Sequence, residues 1–259
     1  IADMFNNRIR KIDLYGNIST VAGNGTAGYS GDGGLATSAS IMTPRGVAVD
    51  ATGNLFISDG TYRIRKVNIA GIITTICGNG ISAHSGDGGP ALSASIMSVG
   101  HITFDQFTGD LYFCDFQAYR VRKITPAGII STIAGNGTAG SSGDGGFAVN
   151  AQLNGPYGVA CDPLFGSYLY ISENYTNRIR RVDLVSGMIS TYVVGTINWP
   201  AGLATFPDGD LLIASGTYEI YRADFPTGTL TPLAGIGISG FSGDGGNPLA
   251  ARISYPTGV

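Results

Sequence analysis

One tetrapeptide, Gly-Asp-Gly-Gly, recurs along the chain and limits its fold more than any other feature. It begins at positions 31, 86, 143 and 243, which gives spacings of 55, 57 and 100 residues. A second motif, Arg-Ile/Val-Arg, begins at positions 8, 63, 120 and 178 and returns in degenerate form at Glu219. A period of this length indicates a repeat protein in which each copy is one supersecondary unit.

Each copy is predicted to form an antiparallel meander of four short strands. In the second copy we expect strands over 45–50, 55–59, 63–68 and 72–78, because each is an apolar or β-branched run bounded by Gly or Asn. No segment has the 3.6-residue apolar pattern of a long helix. One meander cannot bury both apolar faces, whereas copies arranged around an axis can. The predicted fold class is therefore an all-β propeller of four-stranded antiparallel blades, with an open solenoid as the alternative.

The composition agrees with this fold and argues against several functions. Of the 259 residues, 41 are glycine and 43% are hydrophobic, but only 13% are charged, against about 25% in typical domains. The net charge of −3 argues against broad binding to nucleic acid or to anionic membranes. No apolar run approaches the roughly 18 residues of a membrane-spanning helix.

Two segments resemble NHL repeats: PRGVAVDATGNLFISDGTYRIRKV (44–67) and GPYGVACDPLFGSYLYISENYTNRIRRV (155–182). The opening, IADMFNNRIRKI, resembles one too. The resemblance covers essentially the whole chain and implies a propeller, usually of six blades, of which about five repeat units are visible here. Most members are interaction scaffolds, some bind RNA, and related propellers are enzymes such as peptide-amidating lyases. The match weakens at His101, which stands where other copies have glycine, and over 200–223.

We expect a single NHL-type propeller over 1–259. Its expected parts are the end of a split blade with a linker (1–43), four blades with linkers (44–98, 99–155, 156–199 and 200–255) and the start of a further or closing blade (256–259). Two explanations of the split blade are open: the ends meet in one ring, or the sequence is a window on a longer array, which we favour. If the chain ends at these residues, its unpaired repeat ends predict self-association or pairing with another protein.

The segment SGDGG (30–34) raises the question of a bound ligand. GNGTAG (23–28), just upstream, fits a dinucleotide fingerprint, but no helix follows it and the element recurs four times. Calcium is a weaker alternative, because each segment offers one carboxylate where calcium takes six to eight oxygens. We therefore expect no cofactor and interpret SGDGG as a structural turn between blades, followed by two apolar columns. The columns are Ala39, Ala94, Ala151 and Ala251, and Ile41, Ile96, Leu153 and Ile253.

Acidic residues at the end of each second strand vary together with the arginines that follow. In the fourth full unit both disappear, because Ser215 replaces the acid and Glu219 replaces the arginine. Removing one member of a buried pair leaves the other uncompensated, so the sequence predicts a structural ion pair in each hairpin. The predicted pairs are Asp3 with Arg8, Asp59 with Arg63, Asp115 with Arg120, and Glu173 with Arg178.

Three cysteines, Cys77, Cys114 and Cys161, are too few and too scattered for a disulfide framework or a zinc site. We expect small buried apolar residues, with a Cys114–Cys161 bridge as the alternative.

Candidate functional residues lie where the repeat pattern breaks. The linker 193–202 lacks the GDGG segment and contains the only tryptophan, Trp199, which is either an interface anchor or a filler of the missing volume. His101 begins an inner strand and either lines the central channel or is a hydrogen-bonded structural histidine. With only two histidines in the chain, we do not expect catalysis.

Four Asn-x-Ser/Thr sequons, at Asn17, Asn24, Asn136 and Asn174, lie in predicted turns or loop edges and favour a glycosylated, extracellular protein. The sequence thus predicts a non-catalytic extracellular or surface scaffold for protein–protein contacts, part of a larger assembly or filament. The alternative is a lyase-like or hydrolase-like propeller enzyme with a metal in its channel.

Overall fold

The computed structural model describes residues 1–164, 166–194 and 197–259. Its strands form five antiparallel sheets in which strands adjacent in sequence pair with each other. The first sheet has three strands: β1 (Ala2–Asp3), β2 (Arg8–Ile12) and β3 (Ile18–Ala22). Four sheets have four strands each. They are β4 (Val47–Val49), β5 (Leu55–Asp59), β6 (Arg63–Val67) and β7 (Ile73–Cys77); β8 (Val99–Phe104), β9 (Leu111–Asp115), β10 (Arg120–Ile124) and β11 (Ile130–Ala134); β12 (Pro156–Cys161), β13 (Tyr168–Glu173), β14 (Arg178–Asp183) and β15 (Ile189–Val194); and β16 (Pro200–Thr205), β17 (Leu211–Ser215), β18 (Glu219–Ala223) and β19 (Leu230–Ala234).

Helices are limited to three-residue 3₁₀ turns among the described residues. They span Met4–Asn6, Ala36–Ser38, Ala91–Ser93, Phe116–Ala118, Ala148–Asn150 and Pro248–Ala250. None of the described helices has the length and apolar character needed to cross a membrane.

The predicted fold class, an all-β propeller built from four-stranded antiparallel blades, is confirmed. In the second copy the predicted strand 55–59 coincides with β5, and the other three strands are shorter than predicted by one to three residues. Except at Asp50, the shortening occurs at or next to glycine or asparagine, where the chain already turns.

The chain divides into two compact units, 1–118 with 122–132 and 119–121 with 133–259, and the third sheet contributes to both. Each unit buries its apolar residues between adjacent sheets. In the first unit, Ile9 and Ala22 of the first sheet pack with Ile57 and Val67 of the second. In the second unit, Tyr170 and Ile179 of the fourth sheet pack with Leu203 and Ile213 of the fifth. A sheet therefore hides its apolar face against the next copy, as the repeat pattern predicts.

The alanine and isoleucine columns anchor the SGDGG segments. Ala39, Ala94, Ala151, Ile41, Ile96 and Leu153 are all 0% exposed. All three cysteines are buried, and no disulfide joins them. Burial raises the pKa of the Cys77 thiol to about 12.

Candidate functional site

Each of the first three SGDGG segments pairs with the outer edge strand of the sheet that follows it. The N–H of Gly33 donates to the carbonyl of Ile73 at 2.8 Å, and the N–H of Ile73 donates to the carbonyl of Gly34 at 3.0 Å. The same two bonds join Gly88 and Gly89 to Ile130, and Gly145 and Gly146 to Ile189. An open edge strand is a template for unwanted pairing, so the segment serves as an edge cover.

The aspartate of the segment binds a buried arginine in the sheet that it covers. The Arg65 side chain is 0% exposed, with Nη2 2.6 Å from Oδ1 of Asp32 and Nη1 3.4 Å from Oδ2 of Asp59. The second oxygen of Asp32 accepts a hydrogen bond from the Thr75 hydroxyl at 2.7 Å. The same cluster recurs twice, as Arg122 with Asp87, Asp115 and Thr132, and as Arg180 with Asp144, Glu173 and Thr191.

The two carboxylates beside Arg65 have pKa values displaced in opposite directions. At Asp32, burial raises the pKa, but hydrogen bonds from Thr75 and Tyr29 and the charge of Arg65 outweigh it and lower the pKa overall. At Asp59, burial dominates over the hydrogen bonds from Thr61 and raises the pKa. The aspartate of the segment is therefore the firmer counter-charge of the buried guanidinium.

The structure corrects the predicted ion pair of Asp59. Register places Asp59 opposite Arg63, but its ion pair is with Arg65. Arg63 instead donates to the carbonyls of Thr61 at 2.9 Å and Asn79 at 3.2 Å. Its guanidinium fits there because Gly80 has no side chain, and a Cβ on Gly80 would lie 2.2 Å from Nη2 of Arg63.

The arginines of the other three predicted pairs have different partners in different sheets. Arg8 donates to the carbonyls of Asn6 and Asn24, while Asp3 accepts from Asn6. Glu173 has both arginines, with Arg178 at 3.2 Å and Arg180 at 3.5 Å. In the third sheet, Arg120 donates to the carbonyl of Asn136, and Nη1 of Arg122 lies 3.8 Å from Asp115.

Comparison with the fifth sheet shows which sequence signal identifies Arg65, rather than Arg63, as the buried arginine of the ion pair. In β18 and β19, Tyr221 and Pro232 occupy the register positions that Arg65 and Thr75 occupy in the second sheet. The linker before this sheet, 193–202, is the one that lacks SGDGG; its residues 195 and 196 lie outside the described residues. The SGDGG segment and the residues that correspond to Arg65 and Thr75 are therefore absent from the same copy, as expected of groups that bind one another.

Asparagines of the Gly-Asn-Gly turns hold the covering segments in place. Nδ2 of Asn24, Asn79 and Asn136 donates to a backbone carbonyl near the following 3₁₀ turn at 3.1, 3.2 and 3.2 Å. Asn79 is not in a sequon, so the bond belongs to the turn rather than to a glycan site. Asn17 is exposed and Asn174 is half-buried, and glycosylation at the four sequons stays a prediction.

The hydrogen bonds to Asp50 predict a pH-dependent contribution to stability. Burial raises its pKa, but hydrogen bonds from Asn54 and Thr52 outweigh it and lower the pKa to about 2. Because the folded pKa is depressed, the stabilisation is complete above the unfolded pKa of about 4 and is lost as the pH falls towards 2. We expect the difference in unfolding free energy between the wild type and Asp50→Asn to be constant from about pH 5 to 8 and to shrink below about pH 4. Urea unfolding of both proteins across this range measures it, and a difference independent of pH would contradict it.

Tyr175 and Tyr218 lie in the hairpins that join β13 to β14 and β17 to β18, and Trp199 and Tyr255 lie beside these hairpins; we call these four residues the aromatic face. Trp199 is 61%, Tyr175 56% and Tyr255 68% exposed. Tyr218 and Tyr255 pack edge to face, with ring centroids 5.2 Å apart. Trp199 precedes β16, whose first residue pairs with the last residue of β17, so it lies at the hairpin end of the fifth sheet.

The backbone of Trp199 is fixed although its side chain is exposed. Its φ is 51°, its N–H donates to Oδ1 of Asn177 at 2.9 Å, and a Cβ on Gly216 would lie 2.7 Å from the Trp199 Cβ. The exposure does not agree with a role as filler of a missing loop. An aromatic side chain presented by a constrained backbone is a suitable interface anchor, although its binding role stays a prediction.

His101 lies half-buried in β8 and corresponds to Gly46, which immediately precedes β4. Gly46 lies against His101, so that a Cβ added to Gly46 would be 2.9 Å from the His101 Cα. His84 immediately precedes the second covering segment (85–89) and lies 3.9 Å from Asp87 and 3.9 Å from Asp115. Over the described ranges, no group of three or more His, Cys, Asp or Glu residues has a metal-binding arrangement. A binding role for His101 stays a prediction.

A cavity of about 730 Å³ lies between the first two sheets of the first unit. Its lining is mainly aliphatic, including Ile9, Val47, Leu55 and Val67, with Arg10 and Lys11 as its charged residues. It contains neither a carboxylate nor an imidazole, the groups that general acid–base chemistry uses most.

The sequence is similar to teneurins. A family model described as the Teneurin NHL domain matches residues 13–83. Teneurin-m from Drosophila melanogaster is 28% identical over 171 residues, covering 62% of this chain and 6% of that protein. Teneurin-3 from Danio rerio is 28% identical over 250 residues, covering 78% of this chain and 9% of that protein. The chain therefore spans less than a tenth of the length of these relatives.

Solved structures share the fold at low sequence identity. A gluconolactonase from Xanthomonas campestris has a TM-score of 0.64 and 16% identity, covering 97% of this chain and 72% of its own. A chain of a nidogen/laminin complex has a TM-score of 0.61 and 16% identity, covering 86% of this chain and 70% of its own. A virginiamycin B lyase from Staphylococcus aureus has a TM-score of 0.57 and 19% identity, covering 89% and 64%. At these identities the likeness shows the fold alone.

Repeated four-stranded antiparallel sheets, each with the Arg-Ile/Val-Arg motif or its degenerate form, define a β-propeller of repeat type. Together with the sequence matches above, this supports the assignment of the chain to the NHL-repeat β-propellers.

Proposed function

We propose that this chain is a non-catalytic protein-interaction module of an extracellular or cell-surface protein. The similarity to the NHL domain of teneurins, which are cell-surface proteins whose NHL domain is non-enzymatic, supports the proposal. Assembly into a larger surface structure and glycosylation at exposed Asn17 are finer parts of it.

The aromatic face is the observation that carries the proposal. Interfaces are enriched in Trp and Tyr, which bring large contact areas at low entropic cost. Here Trp199, Tyr175 and Tyr255 are each more than half exposed, and the backbone of Trp199 is bonded to the β13–β14 hairpin through Asn177. Such a surface binds a protein partner without needing a reactive group.

Replacing Trp199 by alanine tests the function. We expect Trp199→Ala to weaken binding of the purified, labelled protein to cell surfaces by about 30-fold, the effect of losing a hot-spot side chain worth about 2 kcal/mol. Flow cytometry over a concentration series measures the apparent affinity. Phe107→Ala is the matched control, since Phe107 is also 61% exposed but lies outside the aromatic face. Equal binding by wild type and Trp199→Ala, both folded by circular dichroism, would contradict the proposal.

The enzymatic alternative has its own test. Elemental analysis of the purified protein measures bound metal, and stoichiometric zinc or calcium would favour a propeller enzyme with a metal in its channel over the scaffold.

A further inference from the structure

A smaller cavity, which we call the inter-sheet pocket, lies between the second and third sheets, both of which have four strands. Its volume is about 330 Å³, and its lining residues all belong to the first unit. Phe56 and Phe104 stack in it with ring centroids 5.2 Å apart, and Nζ of Lys66 lies 5.5 Å from the Phe56 ring centroid. Aliphatic and backbone groups complete the lining, among them Ile76, Leu111, Ile124 and Thr125.

The corresponding place in the fourth sheet is filled by a tyrosine of the chain itself. The last two strands of each sheet pair with a β-bulge, and the extra residue is Ile76 in the second sheet and Tyr192 in the fourth. The Tyr192 ring packs against Tyr170, with centroids 5.0 Å apart, and Cζ of Arg181 lies 5.3 Å from the Tyr192 centroid. An aromatic ring and a cation therefore hold the phenol ring of Tyr192.

The second sheet has the aromatic ring and the cation but not the phenol between the sheets. Phe56 and Lys66 are register partners in β5 and β6, as Tyr170 and Arg181 are in β13 and β14. Lys66 forms no ion pair with another described residue, so its charge is available to the face of a further ring. With isoleucine in place of tyrosine at the bulge, the space for that ring is left as the inter-sheet pocket.

The third sheet supplies the acceptor that a phenol hydroxyl needs. The hydroxyl of Tyr192 donates to the carbonyl of Asp224, the residue after β18, at 2.8 Å. Thr125 is the residue after β10 and lines the inter-sheet pocket. Both carbonyls accept the N–H of the glycine in the turn that follows, from Gly128 at 2.8 Å and from Gly228 at 2.7 Å. A carbonyl oxygen has two lone pairs, so Thr125 keeps one for a hydroxyl donor.

We propose that the inter-sheet pocket binds a phenol ring, presented by a tyrosine side chain or by a small free phenol. The ring packs against Phe56 within reach of the Lys66 ammonium, and its hydroxyl donates to the carbonyl of Thr125. The volume is sufficient, because an apolar cavity of about 150 Å³ holds a benzene molecule. This inference goes beyond the proposed function and does not depend on it, since the aromatic face is not part of the pocket.

An NMR titration of the whole chain with p-cresol tests the proposal. We expect saturable shifts of the backbone amides of Ile76, Thr125 and Gly128, with a dissociation constant of about 1 mM, ordinary for a ligand this small. Toluene has the same ring without the hydroxyl, so it should bind about fivefold more weakly. N-acetyl-tyrosinamide distinguishes the two sources. Binding at least as tight as that of p-cresol assigns the pocket to tyrosine side chains, and weaker binding assigns it to free phenols.

Variants at Ile76 and Lys66 locate the binding in the pocket. Ile76→Tyr introduces the ring that Tyr192 supplies in the fourth sheet, so it should weaken p-cresol binding by at least about tenfold without lowering the melting temperature. Ile76→Val is the matched control, because it leaves the pocket open and should bind like the wild type. Lys66→Met should weaken binding about threefold through loss of the cation–π contact. Lys11→Met, at the corresponding position of the first sheet, should leave it unchanged.

Three results would overturn the proposal. The first is the absence of saturable shifts up to about 20 mM p-cresol, a concentration at which a millimolar site is nearly full, or shifts confined to residues outside the pocket. The second is wild-type affinity of a folded Ile76→Tyr protein; if that variant does not fold by circular dichroism, wild-type affinity of Lys66→Met decides instead. The third is equal affinity for toluene and p-cresol, which contradicts a site for the phenol hydroxyl.

Discussion

Replacement of Arg65 by methionine should destabilise the protein by about 3 to 5 kcal/mol, the cost of leaving a buried charge uncompensated. The guanidinium is fully buried between Asp32 and Asp59, and methionine keeps much of the volume while removing the charge. For a chain of this size we expect the melting temperature to fall by about 10 °C. Differential scanning calorimetry and urea unfolding measure both quantities.

Two further variants separate this effect from the loss of any arginine in the strand. Arg63→Met removes hydrogen bonds to two carbonyls at a half-buried position, so it should cost only about 1 to 2 kcal/mol. The double variant Arg65→Met/Asp59→Asn should recover part of the loss, because it removes one of the carboxylates left without a partner. An Arg63→Met protein as unstable as Arg65→Met would refute this account of the cluster.

Replacement of Gly78 by alanine should destabilise the protein by about 3 kcal/mol, through left-handed backbone strain and overpacking together. Gly78 has a φ of 91°, and a Cβ there would lie 2.2 Å from the carbonyl oxygen of Tyr62, so the backbone has to move. Gly88→Ala is the control, since its φ of 83° is similar but nothing lies within 4 Å of the added Cβ. It should cost only about 1 to 2 kcal/mol. Equal urea midpoints for the two variants would show that the close approach is unimportant.

The fold could be predicted from the sequence because the repeats give several independent views of one unit. Strand β5 coincides with its prediction, and the columns of Ala39 and Ile41 mark residues that are 0% exposed in the first three copies. Glycine turns and β-branched runs are local signals of strands and turns. Because they recur at the same place in every copy, an accidental match in one copy does not mislead the prediction.

The binding partner of Asp59 could not be chosen in the same way. Arg63 and Arg65 are two residues apart and lie on the same side of β6, so strand periodicity cannot separate them. The choice depends on how far each guanidinium reaches and on which carbonyls surround it, and these are properties of the folded loops. One sequence signal does distinguish the two arginines. In the copy whose linker lacks SGDGG, and therefore the aspartate that corresponds to Asp32, Tyr221 replaces the arginine that corresponds to Arg65.

The exposure of Trp199 was likewise beyond the sequence. A lone tryptophan is compatible with a filled gap or with an anchor on the surface. In the structure the side chain is 61% exposed, which does not agree with a filled gap, and the role as an anchor stays a prediction.

The edge cover has a consequence for how the nascent chain matures on the ribosome. Gly33 is translated 40 residues before Ile73, the edge that it protects, and synthesis proceeds at about 5 to 20 residues per second. The edge cover therefore leaves the exit tunnel seconds before the edge strand that it pairs with. N-terminal to C-terminal synthesis thus limits the time in which the open edge strand can pair with neighbouring chains on a polysome.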